Sequence, residues 1–429
     1  MRHKRKWLVV QIAALGSDFL AGAKGSLRLA GLEFKSLKSM FPAVTCSVQA
    51  SFVTASAAQE HGMICNGFFD RHFRKAFFWE QSSQLVERKR FWQEQQDIRT
   101  AIMFWQQSLG SETDIVISPA PIHKHHGGMI MDCFSRPRDL YPQLVEKVGS
   151  RFPLHRYWGP LAGEQSSRWI TEATCHVMAD QSPDLLLTYI PHLDYELQRS
   201  GPASTTSREA LETTEQMIAT LVNKARQRGY DVLIFGDYAI TAVDKVVFPN
   251  RVLAEAGYLP TRDIKGMSYP DLYTAAAFAL CDHQIAHVYI NDPARIDEVR
   301  DILSRNDNID SVLDKGQQRQ LQIAHPRSGE LLLTTKPGAW FAYPWWTDDK
   351  KAPDYASHID IHNKPGYDPC ELFGRIFGLK VSLDTSLVKG SHGLSGPGTE
   401  AVWATTGELD FQEGTIVELA AALKENIQS

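Results

Sequence analysis

Three short apolar runs constrain the fold most strongly. They are WLVVQIAA at 7–14, LLLTYIPHLD at 185–194 and VLIFGD at 232–237. Each has the length and near-continuous hydrophobicity of a strand that is buried on both faces, as the strands of parallel sheets are. Burying both faces requires helices on each side of the sheet. The runs therefore predict an α/β fold with a mainly parallel central sheet flanked by helices.

The segment before the third run supports this prediction. Within 207–229, Leu211, Ile218 and Val222 share one helical face, and Gly229 is placed to end the helix. A strand, a helix and a second strand with a right-handed crossover form the repeating unit of an α/β sheet. Ligands bind beyond the carboxyl ends of such strands, where Asp194 and Asp237 are expected.

The pattern changes between about 245 and 375. Residues 285–316 read as strand, helix and strand, and residues 329–346 read as an aromatic-rich strand pair. We predict an inserted α+β cap at 245–375. The rest of the chain, 1–244 and 376–429, is then the α/β core.

Charge and cysteine content narrow the possible partners. The 429-residue chain has a formal charge of -5, so it offers no electrostatic reason to bind nucleic acid or an anionic membrane. Its six cysteines form no CxxC pair, which favours reduced thiols in the cytoplasm. No apolar stretch approaches the ~20 residues of a membrane span. We expect a cytoplasmic protein that acts on a small molecule, with a homodimer allowed.

The N-terminal segment has two interpretations. Its basic start and apolar run resemble a signal peptide. The same run also matches a buried first strand that ends at a glycine, and Gln11 interrupts its apolar character. We favour the strand.

Thr45 is the first candidate functional residue. It follows Pro42 and opens a segment with helical apolar spacing. One interpretation is an N-cap, whose hydroxyl satisfies a backbone N–H. The other is a nucleophile, because a helix N-terminus offers N–H groups and a positive dipole end to a phosphate.

Five segments in a fixed order carry a resemblance to a known family. They are Thr45 at its helix start, EHGMICNG at 60–67, YIPHLDYELQRSGP at 189–202, FGD at 235–237 and GSHG at 390–393. Together they resemble the nucleotide pyrophosphatase/phosphodiesterase branch of the alkaline phosphatase superfamily. The resemblance covers nearly the whole chain and implies an alkaline-phosphatase-like fold with a cap.

The resemblance also implies roles for individual residues. In that family two zinc ions flank a phosphoryl group, a helix-start threonine attacks phosphorus, and an asparagine holds a phosphate oxygen. Thr45 and Asn66 match these two catalytic positions. A nearby metal ion lowers the pKa of the attacking hydroxyl and stabilises charge on the leaving oxygen. Asp194, Asp237 and His392 match three of the metal ligands.

Three of the six expected ligands are missing. Ala13, Gln198 and Tyr238 stand where the family has an aspartate and two histidines. Alanine binds no metal, and glutamine and tyrosine are uncommon zinc ligands. Either other side chains have taken over the coordination, or the metal pair is gone. The survival of the attack and anion-holding positions favours the first account.

Several residues are candidate replacements in a remodelled metal site. We favour His362 with Asp360, because DIH at 360–362 would place both on one side of an extended strand. The other candidates, which we favour less, are His192, Asp282, His283 and Asp18. One or two divalent ions are expected, with zinc favoured over manganese and iron.

Variant strings such as HLDYELQRSGP and SLVKGSHG narrow the resemblance. They are similar to a bacterial subgroup encoded in ebo-type metabolite clusters, beside a prenyltransferase-like and a sugar-isomerase-like protein. That similarity implies a small biosynthetic intermediate as substrate. We therefore predict a metal-dependent phosphoric ester hydrolase or transferase. The alternatives are a non-catalytic binding protein on the same fold and a non-phosphoryl cleavage reaction.

Overall fold

The protein is described by a computed structural model that covers residues 5–95, 97–126, 128–375 and 380–428. The helices are α1 Ser17–Lys24, α2 Thr45–Thr54, α3 Ala58–His61, α4 Leu140–Val148, α5 Glu164–Asp180, α6 His192–Ser200, α7 Thr205–Arg228, α8 Pro249–Glu255, α9 Ile296–Ser304, α10 Lys315–Gln320 and α11 Ile416–Gln428. Short 3₁₀ helices span Ser83–Leu85, Phe91–Glu94, Leu154–Arg156, Pro293–Arg295, Asp349–Lys351, Asp354–Ser357, Pro369–Leu372 and Thr385–Leu387.

Two larger sheets contain the principal strands. These are β1 Lys6–Ile12, β2 Lys35–Leu37, β3 Thr100–Met103, β4 Ile115–Pro119, β5 Cys133–Arg136, β6 Leu185–Ile190, β7 Tyr230–Gly236, β8 Ala277–Asp282, β9 Ile285–Ile290, β10 Ile309–Leu313, β11 Leu331–Thr335 and β12 Ala401–Thr405. Seven two-stranded pairs complete the described strands: Arg28–Leu29 with Leu32–Glu33, Gly67–Asp70 with Lys75–Phe78, Ile122–His123 with Met129–Ile130, Thr241–Ala242 with Gly390–Ser391, Lys245–Val247 with Ala339–Phe341, Thr261–Ile264 with Met267–Pro270, and Gly374–Arg375 with Lys380–Val381.

The central sheet has eight strands in the order β5-β4-β3-β6-β1-β7-β12-β2. Its middle pairings, from β4 to β7, are parallel, and the pairings toward β5, β12 and β2 are antiparallel. The three apolar runs form β6, β1 and β7, side by side in the middle of this sheet. The predicted α/β class with a mainly parallel sheet is confirmed.

Alternation along β1 explains why its run is apolar throughout. Leu8 and Val10 pack in a core that includes α5 and α7, whereas Trp7 and Val9 pack in a second core that includes α2 and α11. Successive side chains of a strand point to opposite faces. Because helices cover both faces of the sheet, neither set of alternating side chains faces solvent. The run is therefore hydrophobic throughout.

Helix α7 follows the sequence prediction closely. It begins after Ser204, whose side chain accepts a hydrogen bond from the Ser207 N–H at 3.0 Å. It ends at Gly229, which has a φ of +71°. That left-handed conformation favours glycine, since a Cβ would be strained there. The end of this helix positions β7, and Asp237 follows directly after that strand.

Helix α6 differs from the expectation for residues 185–194. The strand ends at Ile190, and α6 begins at His192, so Asp194 lies in the first turn of a helix rather than at a strand end. Pro191 between them ends the strand pairing, because proline has no N–H to donate. As a result, Asp194 and Gln198 lie one helical turn apart.

The second sheet is antiparallel and has the order β8-β9-β11-β10. The predicted strand, helix and strand are confirmed as β9, α9 and β10. The predicted boundary between residues 375 and 376 adjoins 376–379, which lie outside the described residues, so the division into core and cap stays a prediction. None of the helices in the described parts of the chain is long and apolar enough to cross a membrane.

Candidate active site

Thr45 is the first residue of α2, and its hydroxyl does not cap the helix. The N-cap position belongs to Val44, which is extended with a φ of -133°. The N-cap interpretation of Thr45 is therefore wrong. Instead, the Thr45 Oγ1 lies 3.2 Å from the Tyr238 hydroxyl. Since the single Tyr238 hydroxyl hydrogen goes to Asp194 Oδ1 at 3.1 Å, Thr45 donates to Tyr238.

Asn66 links the start of α2 to a buried carboxylate. Its Oδ1 accepts a hydrogen bond from the Cys46 N–H at 3.0 Å, so this N–H of the first helical turn already has a partner. Its own N–H and Nδ2 donate to the two oxygens of Asp282, at 2.8 and 3.1 Å. The Cys65 thiol donates to Asp282 as well, at 2.9 Å. One Nδ2 hydrogen of Asn66 is left for a ligand, since an amide group has two.

His283 is held by the same carboxylate. Its Nδ1 lies 2.6 Å from Asp282 Oδ1. Burial would raise the pKa of Asp282, but the charge of His283 and the hydrogen bonds from His283, Cys65 and Asn66 outweigh it and hold that pKa below its usual value. The carboxylate is therefore ionised, and the proton of this pair lies on Nδ1.

The backbone at His283 is unusual. His283 and Gln284 form the two-residue turn between β8 and β9, and His283 has a φ of +59°. A positive φ at the first turn position normally favours glycine. The turn is fixed by the Gln284 N–H, which donates to the His392 carbonyl at 2.9 Å, and by the His283 carbonyl, which accepts from the Phe341 N–H at 2.7 Å.

Four aromatic rings form a continuous stack, which we call the ring column: Tyr367, His283, His392 and Tyr238. The ring centroids are 3.7 Å apart for Tyr367 and His283, and 3.8 Å for His283 and His392. His392 and Tyr238 are stacked face to face at 3.5 Å with an interplanar angle of 3°. The column brings residues from widely separated parts of the sequence to one place.

Hydrogen bonds join the two ends of the ring column. Tyr238 donates to Asp194 Oδ1, and the Gln198 Nε2 donates to Asp194 Oδ2 at 2.6 Å. The Tyr367 hydroxyl donates to the Gln198 Oε1. Gln198 and Tyr238, two of the substitutions at expected zinc positions, are therefore structural partners of one another through Asp194.

Asp237 has a different environment. Its Oδ1 accepts from the backbone N–H groups of Ala14 at 2.8 Å and Tyr238 at 3.0 Å. Its Oδ2 accepts from the Gln11 Nε2 at 2.7 Å, and the Gln11 Oε1 accepts from the Trp105 indole at 2.8 Å. Burial, with a smaller contribution from Asp194, raises the pKa of Asp237 to about 8. Asp237 thus ties β7 to β1.

The other charges of the site follow from burial. Burial raises the pKa of Asp194 to about 6, although His283, Tyr238 and Gln198 oppose it. Burial and the neighbouring His283 lower the pKa of His392 well below its usual value. His392 Nδ1 lies 2.7 Å from the Ala43 carbonyl, which only accepts hydrogen bonds, so Nδ1 carries the proton.

Two nitrogen atoms of the site have no partner. Within the described residues, neither His283 Nε2 nor His392 Nε2 has a hydrogen-bond partner, although both are buried. Three of the predicted site residues are nearly closed to solvent: Thr45 is 3%, Asn66 1% and His392 1% exposed. Burying an imidazole nitrogen without a hydrogen-bond partner costs free energy. We therefore expect each of these two atoms to contact a ligand or to take up a proton.

The donor set does not fit the two-zinc centre that the resemblance implies. Across the parts of the chain that the structure describes, no group of three or more His, Cys, Asp or Glu side chains is placed to hold a metal ion. On one side, Asp237 is engaged by Gln11 and two backbone N–H groups, and Ala13 offers no ligand atom. On the other, both oxygens of Asp194 accept hydrogen bonds from protein side chains.

The favoured replacement ligands, Asp360 and His362, are not arranged as the sequence predicted. The extended strand expected at 360–362 is a turn, in which Asp360 accepts from the Asn363 N–H and amide. His362 Nδ1 contacts the Phe78 carbonyl at 3.0 Å. The expectation of one shared strand face is wrong, because the Asp360 side chain stabilises a local turn instead.

The remaining candidate metal ligands differ in their positions. Asp18 is exposed in α1, and His192 is the first residue of α6, outside the ring column. Asp282 and His283 enter the site. The sequence analysis gave no role to Gln11 or Tyr367. For Asp282, the one signal was its place just after the apolar run AAAFAL at 275–280, with only Cys281 between.

Comparisons with known proteins identify a family and a shared fold. The model of the family described as type I phosphodiesterase / nucleotide pyrophosphatase matches residues 25–368, more than half of the chain. No curated protein matches the sequence significantly.

Solved structures share the fold. A phosphonoacetate hydrolase from Sinorhizobium meliloti 1021, in complex with phosphonoformate, has a TM-score of 0.66 at 13% identity, over 99% of this chain and 95% of its own. Human ectonucleotide pyrophosphatase / phosphodiesterase 5 has a TM-score of 0.59 at 14% identity, with the same coverage. The expected family and the expected hydrolase class are confirmed. The chain belongs to the type I phosphodiesterase / nucleotide pyrophosphatase family.

Proposed function

We propose that this protein hydrolyses or transfers a phosphoric ester of a small molecule, with Thr45 as the nucleophile. The observation that carries the proposal is the hydrogen-bonded chain from Thr45 Oγ1 through the Tyr238 hydroxyl to Asp194 Oδ1, at the N-terminus of α2. A threonine hydroxyl is a weak nucleophile unless a base removes its proton. Here the hydroxyl and a buried carboxylate are joined by one phenol.

Each residue of the site has its own role in the proposed reaction. As Thr45 Oγ1 attacks phosphorus, its proton passes to the Tyr238 oxygen, and the Tyr238 proton passes to Asp194. The free Nδ2 hydrogen of Asn66 and the positive end of the α2 dipole stabilise the phosphoryl oxygens. Asn66 is suited to this role because Asp282 and the Cys46 N–H fix its orientation.

No step of this mechanism is assigned to a metal ion, because the donors do not fit the two-ion centre. In this account Asp194 accepts a proton, and Asp237 holds β1 and β7 together. The metal-ligand roles predicted from the sequence for Asp194, Asp237, His392, Asp360 and His362 stay predictions, as do zinc as the metal, the cytoplasmic location and a homodimer.

The proposed substrate is a small anionic ester. A biosynthetic intermediate agrees with the similarity to the metabolite-cluster subgroup. Phosphonates also belong in the substrate panel, since a structural neighbour is a phosphonoacetate hydrolase.

A substrate screen with paired variants tests the proposal. Phosphodiesters, phosphomonoesters and phosphonates are assayed with the wild type, Thr45→Ala and Thr205→Ala. Thr205 is the matched control, because it is also the first residue of a helix but is exposed on α7. We expect hydrolysis that falls by about 10³-fold or more in Thr45→Ala and is unchanged in Thr205→Ala. Hydrolysis that survives in Thr45→Ala contradicts the role of Thr45 as nucleophile. No turnover in the whole panel contradicts the proposal and favours the binding protein or the non-phosphoryl reaction.

A further inference from the structure

A cavity of about 610 Å³ lies outside the ring column. Its lining residues come from three parts of the chain, 73–77, 262–273 and 355–365. Among the described residues that line it, none belongs to the ring column, and Thr45 is not one of them. Pockets that bind small molecules usually have volumes of about 300–1,000 Å³. The cavity therefore has the size for a ligand other than the ester that Thr45 attacks.

The walls of the cavity are joined to one another by protein contacts. The Arg74 guanidinium donates to the Leu272 carbonyl from Nε at 3.2 Å and from Nη2 at 2.9 Å, which joins the first wall to the second. The Tyr269 hydroxyl donates to Asp354 Oδ1 at 2.8 Å, and the ring centroids of Tyr269 and Tyr355 lie 6.3 Å apart. These contacts join the second wall to the third. The cavity is therefore preformed, and a ligand need not order its walls.

Aromatic side chains dominate the shape of the cavity. Phe77, Tyr269 and Tyr355 are part of the lining, and so are Phe73 and Tyr273, which are 64% and 73% exposed. Single exposed apolar residues are common on protein surfaces, but here two large rings are exposed at one concave place. Aromatic rings pack well against other flat rings, either offset and stacked or edge to face. The lining therefore favours a ligand with a planar ring.

The same lining is positively charged, although the whole chain has a formal charge of -5. Arg74, Lys75 and Arg262 contribute positive charge, and Asp271 is the one acidic residue among the described lining residues. Asp271 Oδ1 already accepts from the Tyr273 N–H at 3.1 Å. None of the ion pairs in the described parts of the chain includes Lys75 or Arg262. These two cations are therefore free to bind an anionic group.

The carboxylates next to these two cations have other partners. Asp70 is the cross-strand neighbour of Lys75, but its Oδ1 accepts two backbone N–H groups of the following turn, at 2.8 Å each. Asp263 follows Arg262, and its Oδ1 accepts from the Gly266 N–H at 3.0 Å. Both carboxylates stabilise local turns. The guanidinium of Arg262 is left with its paired N–H donors, which match the oxygens of a carboxylate, phosphate or sulfonate.

Positive charge and aromatic rings lie next to each other in the cavity. Lys75 Nζ is 5.2 Å from the centroid of the Phe77 ring, and Arg262 is the cross-strand neighbour of Tyr269. One ligand can therefore contact a ring and a cation at once. We propose that the cavity is a second binding site, which takes a small molecule that carries a planar aromatic ring and an anionic group. A protein partner fits less well, because protein interfaces are larger surfaces of about 800 Å² per partner.

A dye titration tests the proposal. The anionic probe is 8-anilino-1-naphthalenesulfonate, and N-phenyl-1-naphthylamine is its uncharged counterpart with the same ring system. Neither dye is a phosphoric ester, so the result does not depend on the proposed hydrolysis. Fluorescence titrations give the stoichiometry and the Kd of each dye.

The variants change exposed side chains, so that the fold is kept. Arg262→Gln removes a charge from the cavity, and Phe73→Ala removes a ring. Arg305→Gln and Phe134→Ala are the matched controls, because both residues are exposed and lie outside the lining.

We expect one saturable site for the anionic dye in the wild type. Arg262→Gln should raise the Kd of the anionic dye by about 3- to 10-fold and leave the uncharged dye unchanged, because only the sulfonate contacts the charge. Phe73→Ala should raise the Kd of both dyes by about threefold or more, because both present the same rings. Arg305→Gln, Phe134→Ala and Thr45→Ala should bind both dyes as the wild type does.

Three results overturn the proposal: no saturable binding to the wild type, an unchanged Kd of the anionic dye in Arg262→Gln, or a loss in Phe134→Ala as large as that in Phe73→Ala. The last result would place the dye on another exposed surface. The wild type alone gives a further measurement, since added salt should weaken the anionic dye relative to the uncharged one. Equal salt dependence of the two dyes contradicts the proposal.

Discussion

Two acid–histidine pairs in this chain look alike in sequence and differ in structure. Asp282 and His283 meet at 2.6 Å in a buried turn between two strands. Asp360 and His362 lie in a half-buried turn, where Asp360 bonds to Asn363 and His362 to a backbone carbonyl. The first pair has an unpartnered nitrogen inside the site. In the second pair, Asp360 bonds within its own turn and His362 bonds to the carbonyl of Phe78, a strand residue.

The difference shows what places a histidine in a site. His283 is positioned by a sheet turn that docks on the segment carrying His392, so its location depends on contacts more than a hundred residues apart in sequence. His362 depends on a turn that its neighbours stabilise. Spacing within a motif suggested one strand face for the second pair and was wrong there, and the position of the first pair depends on the whole fold.

Removing each carboxylate should give the largest contrast between the pairs. Asp282→Ala leaves the Asn66 N–H and amide, the Cys65 thiol and the His283 Nδ1 without an acceptor in a buried region. We expect the free energy of unfolding to fall by about 3–5 kcal/mol, as for other broken buried charge pairs. Asp360→Ala should cost about 1 kcal/mol or less. Denaturant titration measures both, and equal losses would contradict the assigned difference.

The two tyrosines at the ends of the ring column should differ in their effect on the rate. Tyr238→Phe breaks the path from Thr45 to Asp194, so kcat should fall by about 10- to 100-fold. Tyr367→Phe removes only the hydrogen bond to Gln198 and should lower kcat by less than about threefold. Steady-state kinetics on the best ester of the screen distinguishes the two. A larger loss in Tyr367→Phe would mean that the proton leaves Thr45 by another path.

The smallest expected effect concerns stability at the start of α2. Because Thr45 does not cap its helix, Thr45→Ala should cost no more than the single hydrogen bond to Tyr238, about 1 kcal/mol. Ser204 is a true N-cap, and Ser204→Ala should cost about 1 kcal/mol without any loss of hydrolysis. Thermal unfolding of both variants, followed by assay, provides the comparison. A Thr45→Ala variant that unfolds much more easily would return Thr45 to a structural role.

The sequence predicted those parts of the molecule that depend on local or periodic patterns. The apolar runs identified β1, β6 and β7, and Gly229 marked the end of α7. Thr45 and Asn66 were identified through the family resemblance, and the structure brings both to one end of α2. The strands and the helix end were predictable because each is encoded within a short window, whereas the roles of Thr45 and Asn66 stay predictions.

The positive roles of Gln198 and Tyr238 could not be predicted in this way. In sequence they are missing zinc ligands. In the structure both bond to Asp194. Gln198 also contacts Tyr367 and Tyr238 also contacts His392, each partner more than 150 residues further along the chain. Stacking and shared hydrogen bonds across such distances leave no local pattern.

The most direct test of the account is the metal content of an active preparation. Elemental analysis is carried out on the wild type, Asp237→Ala and His392→Ala, using the same protein that is assayed for ester hydrolysis. The account predicts active wild-type protein with less than about a tenth of an equivalent of zinc, manganese or iron, even after metal supplementation, because three family ligands are absent. One or two equivalents in the wild type, lost in both variants, would contradict it and show that other residues rebuild a metal centre.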